Sequence, residues 1–140
     1  MATYLKLYKG SPTAGGTDGT EISEGGTFTN PIDATLVVDD TTGASSTIVC
    51  AARCVSGYQT DGSTVLKFQE LSGGSYTDYS GTDYEISLDN STWGNSLTIP
   101  STIGATNTLF YVRLSAAANS TPINDRSVFL FHTETVQATA

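Results

Sequence analysis

Polar and apolar residues alternate in short runs along this chain, and turn-forming residues separate the runs. A period of two puts every second side chain on one face of a β-strand, whereas a helix needs a period near 3.6. Strand patterning recurs at 3–8, 32–38, 46–55, 64–71, 83–89, 96–99, 108–115 and 127–135. In 32–38, Ile32, Ala34, Leu36 and Val38 share a face; in 83–89, Tyr84, Ile86 and Leu88 point inward with Glu85 and Ser87 outside. Asp39 to Gly43, Thr60-Asp61-Gly62 and Asp89-Asn90-Ser91 supply turns, and Gly73-Gly74-Ser75 supplies a break. No window keeps a helical period. The prediction is an all-β, antiparallel sandwich of about seven to eight strands.

With 140 residues and no internal repeat, the chain is expected to form a single domain over 1–140. A chain of this length buries enough surface to fold without a metal or disulfide staple. Only 14% of residues are charged, and Ser, Thr, Asn and Gly carry the polarity, a mixture suited to strands and tight turns. The net charge of −8, with six Lys and Arg in all, argues against nucleic acid and against an anionic membrane surface as partners. No stretch approaches the roughly 20 apolar residues of a membrane helix. Met1 runs directly into the first strand pattern without a basic start and apolar stretch. The expectation is therefore a mature fragment with an added Met, or a protein made in the cytoplasm that leaves by another route, such as cell lysis.

Cys50 and Cys54 are the only cysteines. Four residues apart on one strand, their Cα atoms would lie about 13 Å apart at a rise of roughly 3.3 Å per residue. Bridged Cα atoms lie within about 7 Å, so a mutual disulfide would need a turn or bulge between them. The favoured reading is two reduced, buried, small apolar side chains.

A catalytic site needs convergent titratable groups. His132 is the single histidine, on the face of Val128 and Leu130, and no Gly-x-Ser-x-Gly nucleophile elbow occurs. No catalytic residues are therefore assigned. Asp39, Asp40, Asp61, Asp83 and Asp89 fall in turns, where calcium could bind, but no EF-hand spacing is present; neither a metal site nor a cofactor is assigned. The glycine-rich stretch 10–26 lacks the Gly-Lys-Ser/Thr ending of a phosphate loop. It reads as a loop, or as an arm ordered against a neighbouring subunit through Gly15, Gly16, Thr17 and Asp18. Tyr58, Tyr76, Tyr79 and Trp93 lie near turns and are candidates for surface recognition, including stacking on a sugar ring.

Two strands are apolar on both faces. Val49, Ala51 and Val55 oppose Cys50, Ala52 and Cys54, while Phe129 and Phe131 oppose Val128 and Leu130. A sandwich strand ordinarily leaves one face polar, so loops or another subunit must cover the second face. Phe129 and Phe131 are accordingly candidate subunit contacts.

The run from Gly81 to Trp93 (GTDYEISLDNSTW), followed by Ser96-Leu97-Thr98-Ile99-Pro100 and Phe110-Tyr111-Val112-Arg113-Leu114, resembles the second half of bacterial and phage immunoglobulin-like domains. The opening Leu5-Lys6-Leu7-Tyr8 through Pro12 to Glu21 resembles N-termini of small structural proteins in prophages of Gram-positive bacteria. Together the two stretches span about half the chain. The resemblance implies an immunoglobulin-like fold and a non-enzymatic role in the virion, as a capsid or tail decoration protein. Its partners would be other virion proteins and itself, as a homo-oligomer. The alternative it leaves is a secreted or cell-surface adhesion module that binds carbohydrate. Such domains are often repeated or fused; this chain carries one copy.

Overall fold

The computed structural model describes residues 4–22, 32, 35–118 and 128–139. Among them are eleven strands and no helix: β1 (Leu5–Lys9), β2 (Thr20–Glu21), β3 (Ala44–Cys54), β4 (Tyr58–Thr60), β5 (Thr64–Ser72), β6 (Ser75–Asp78), β7 (Tyr84–Ser87), β8 (Ser96–Ile99), β9 (Thr108–Ala116), β10 (Val128–Thr133) and β11 (Val136–Ala138). The all-β expectation holds, and every pairing is antiparallel.

One sheet has the order β2-β1-β3-β9-β7. In the other, β5 pairs with β10 on one side and with β8 and β6 in succession on the other. The small β11–β4 ladder prolongs the β10–β5 pair, since β4 leads into β5 and β11 follows β10.

The two sheets stack through one apolar layer. Leu5, Leu7, Cys50, Ala52, Cys54, Ile86, Phe110, Val112 and Leu114 come from the first sheet; Leu66, Phe68, Ile99 and Leu130 come from the second. Ile22 and Ile103 seal the layer from connecting segments. Phe110 is fully buried, and burying a side chain of that kind contributes roughly 1.5–3 kcal/mol.

The additional strands are short. Gly73 and Gly74 form a two-residue hairpin turn, at φ 59° and 82°, not a break. Positive φ at both central positions matches the twist of the strands it joins, and glycine adopts it without strain. Gly19, at φ 111°, brings its backbone so close to Tyr8 that a Cβ there would lie 2.9 Å from the tyrosine Cβ.

Two expectations require correction. Ile32 and residues 35–38 carry the alternating pattern but join no ladder, although Leu36 and Val38 are half-buried and Val37 is 87% exposed. Alternation records which side chains face the body; it does not supply a neighbouring strand. Leu88 does not belong to the inner face. β7 stops at Ser87 and Leu88 is 38% exposed, because the Asp89 carboxylate accepts from Ser87 Oγ and from the Ser91 and Thr92 N–H groups and turns the chain.

Candidate functional site

The outer face of the five-stranded sheet carries a continuous half-buried strip. Register fixes its rows: Tyr8 lies beside Ala51 and Leu109, Val49 beside Tyr111 and Ser87, and Thr47 beside Arg113 and Glu85. Directly opposed residues share a face. Ala51 is fully buried between larger neighbours, whereas Tyr8, Val49, Leu109 and Tyr111 are half-buried. The second apolar face of β3 is thus accounted for by its central position and by this strip.

Each end of the strip carries an arginine laid on an aromatic ring. Arg53 stands 3.6 Å from the centroid of the Tyr8 ring, and Arg113 stands 4.3 Å from that of Trp93. Such contacts hold a planar cation flat against the sheet and contribute about 0.5–1 kcal/mol where exposed. Arg113 also pairs with Glu85 at 2.8 Å. Lys6, whose partner is Glu21 at 3.3 Å, lies beside Arg53 in register.

Arg53 further ties the glycine-rich loop to the sheet. Its Nη1 donates to the Asp18 carbonyl at 2.8 Å and to Asn107 Oδ1 at 2.7 Å. Buried Asn107 donates from Nδ2 to the Thr13 carbonyl and to Asp18 Oδ1. Its backbone exchanges hydrogen bonds with Gly15 and Gly16. The Asp18 carboxylate accepts from Thr13 N–H and Oγ–H, which hold it below the ordinary carboxylate range. Gly15, Gly16 and Asp18 therefore lie against their own domain, with Gly15, Thr17 and Asp18 still exposed outward. Residues 23–26 of the loop lie outside the described residues.

The four aromatic candidates have separate surroundings. Tyr58 is half-buried and stacks on Tyr4 at 4.3 Å. Tyr79 packs edge-on against Tyr84 at 5.3 Å, joins the core, and accepts the Asp83 N–H at its hydroxyl. Tyr76 is 44% exposed on β6. Trp93 borders an open cleft of about 220 Å³ with Leu88, Asp89, Thr92 and Leu97. Phe129 and Phe131 pair with Gln69 and Lys67 in the ladder, and His132 with Leu66.

Two of the acidic turn residues, Asp39 and Asp89, act as backbone anchors. Asp39 accepts from the N–H groups of Thr41 and Thr42, and Asp89 from those of Thr92 and Ser91; both carboxyls lie below the usual range, Asp89 at about 2. Asp78 meets Lys67 at 3.0 Å. Among the described residues no three His, Cys, Asp or Glu side chains gather as a metal site. Cys50 and Cys54 are both free and buried. Burial pushes the Cys50 thiol up to about 12, and burial with the nearby Glu134 charge raises Cys54.

Arg53, Asn107 and Arg113 were not singled out by the sequence. The available signal was the two-sided apolar pattern of β3, read together with Leu109-Tyr111-Arg113 on one face of β9. Comparison with protein-family models, with curated proteins and with solved structures finds no match.

Proposed function

We propose that this chain is a non-enzymatic virion structural protein, a capsid or tail decoration protein that docks on a repeated protein lattice through the outer face of its five-stranded sheet. The observation that carries the reading is the strip of Tyr8, Val49, Leu109 and Tyr111 framed by the Arg53–Tyr8 and Arg113–Trp93 pairs. Aromatic and arginine side chains are enriched where proteins bind one another. Three of the chain's six Lys and Arg (Lys6, Arg53 and Arg113) lie on this face of a protein whose net charge is −8. Glu21 and Glu85 on the same face pair with Lys6 and Arg113, so the strip is close to neutral within an acidic protein and does not repel a protein partner. On a lattice, many weak contacts of this kind add to firm attachment.

We also infer an immunoglobulin-like arrangement. The order β1-β3-β9-β7 corresponds to strands A-B-E-D, and β10-β5 to F-C. This correspondence supports the family expected from the run at 81–93.

Co-sedimentation with particles of the encoding phage tests the function. The wild-type chain should pellet with particles, and Tyr111→Glu should stay in the supernatant with an unchanged melting temperature. A wild-type chain that stays unbound, or a variant that pellets equally well, would overturn the reading. Binding on a glycan array by a chain that ignores particles would favour the adhesion alternative.

A further inference from the structure

We propose that the edge of β10 opposite β5, with which no described strand pairs, accepts residues 35–38 of a second copy of this chain, which add to the second sheet as a further strand. Among the described residues β10 ends its sheet, and no strand pairs with its far edge. An open edge presents unpaired N–H and C=O groups, and proteins guard such edges with charge, proline, brevity or a covering segment.

Other edges among the described strands carry such guards. β2 is two residues long and holds Glu21, β6 holds Asp78, β8 is four residues stopped by Pro100, and Gly94 bridges the outer side of β7 at Ile86. β10 runs for six residues, VFLFHT, with no Asp, Glu, Lys, Arg or Pro.

The same chain holds a strand without a ladder. Residues 35–38 alternate in burial as an edge strand does, yet pair with no strand among the described residues. Leu36 and Val38 rest half-buried on the body, which leaves Thr35 and Val37 turned outward. Val37, at 87%, is far more exposed than Tyr76 or Tyr4.

Donor and acceptor therefore occur in one sequence, and a second copy brings them together. Strand addition draws its affinity from backbone hydrogen bonds and its specificity from alternate side chains. Both segments are uncharged, so two copies that each carry −8 meet along a neutral seam. The contact is separate from the docking face on the other sheet and does not depend on it.

Sedimentation velocity over a wide range of protein concentration tests the proposal, with Val37→Pro and Val37→Asp as variants. Proline removes the N–H that a ladder uses and aspartate places a charge in the seam; at so exposed a position neither enters the core. Wild type should associate as concentration rises and both variants should remain monomeric with unchanged melting temperatures. In hydrogen exchange, the β10 amides that point away from β5 should be protected in the wild-type assembly and exchange freely in the variants. Tyr111→Glu should associate like wild type, which separates this contact from the docking face. A wild type that stays monomeric, an assembly that survives in both variants, or β10 protection independent of concentration would each overturn it.

Discussion

Arg113 lies over the ring of Trp93, 4.3 Å from its centroid, while its Nη2 reaches Glu85 Oε1 at 2.8 Å. The guanidinium thus covers one face of the ring and is itself held by a carboxylate on the neighbouring strand. Three side chains from β7, β9 and the connection before β8 are fastened together at one end of the outer face. Trp93 is the chain's single tryptophan, so its emission reports on this contact. Arg113→Ala should shift the emission to longer wavelength and cost about 1 kcal/mol of stability. An unshifted spectrum would show that the ring is covered by something else.

At the other end, Asn107 joins the loop of residues 13–18 to the sheet. Asn107→Ala leaves the Thr13 carbonyl and one Arg53 donor without this partner. The expected loss is about 1–3 kcal/mol in denaturant unfolding. The amides of Gly15 and of residue 107 should exchange faster in the variant, because Gly15 N–H donates to the residue 107 carbonyl and the residue 107 N–H to the Gly16 carbonyl, and both bonds lose their side-chain support. Unchanged exchange would mean that the loop is held elsewhere.

Asp89 sets an acid limb on stability. Its folded pKa, about 2, lies below the ordinary 3.8 because Thr92 N–H, Ser87 Oγ–H and Ser91 N–H donate to the carboxylate. The stabilisation is present in full above the unfolded value and is lost as pH falls from about 4 through about 2. Asp18 and Asp39 are lowered as well and act in the same direction. Melting temperature should therefore fall over this window, and Asp89→Asn should flatten part of the fall. A carboxyl NMR titration of Asp89 near 3.8 would contradict the assignment.

Cys50 and Cys54 should be inert to alkylation at neutral pH in the folded protein. Both are buried and both thiols titrate above their ordinary value, so little thiolate is available to attack. Mass spectrometry after iodoacetamide should show no adduct in buffer and two adducts in denaturant. Reducing agent should leave the melting temperature unchanged. An adduct on Cys54 in buffer would place that sulfur nearer solvent than the fold puts it.

Alternation was sufficient to locate the strands that build the core, and in β1, β5 and β9 it appears directly as burial of every second residue. It could not reveal β2, β4 or β11, where two or three residues are too few to show a period, and Gly73-Gly74 masked β6 as a break. Residues 35–38 show the converse. Their pattern reflects packing on the body, while ladder formation depends on what lies alongside. The outer strip was legible only as an excess of apolar residues on β3. Its anchors are Arg53 with Asn107 and Arg113 with Trp93, contacts between positions far apart in sequence for Arg53 and Asn107, and no local pattern encodes them. Tyr58 and Tyr79 looked like surface residues because they flank turns, yet both pack against the core cluster.

The central claim, that the five-stranded sheet turns its outer face to a protein lattice, is tested most directly by electron cryomicroscopy of intact particles of the phage to which the proposal assigns this chain. The expected result is density for this sandwich at regularly repeated positions, with Val49, Leu109 and Tyr111 against the neighbouring protein. Particles that lack the chain, or that carry it with this face open to solvent, would contradict the claim.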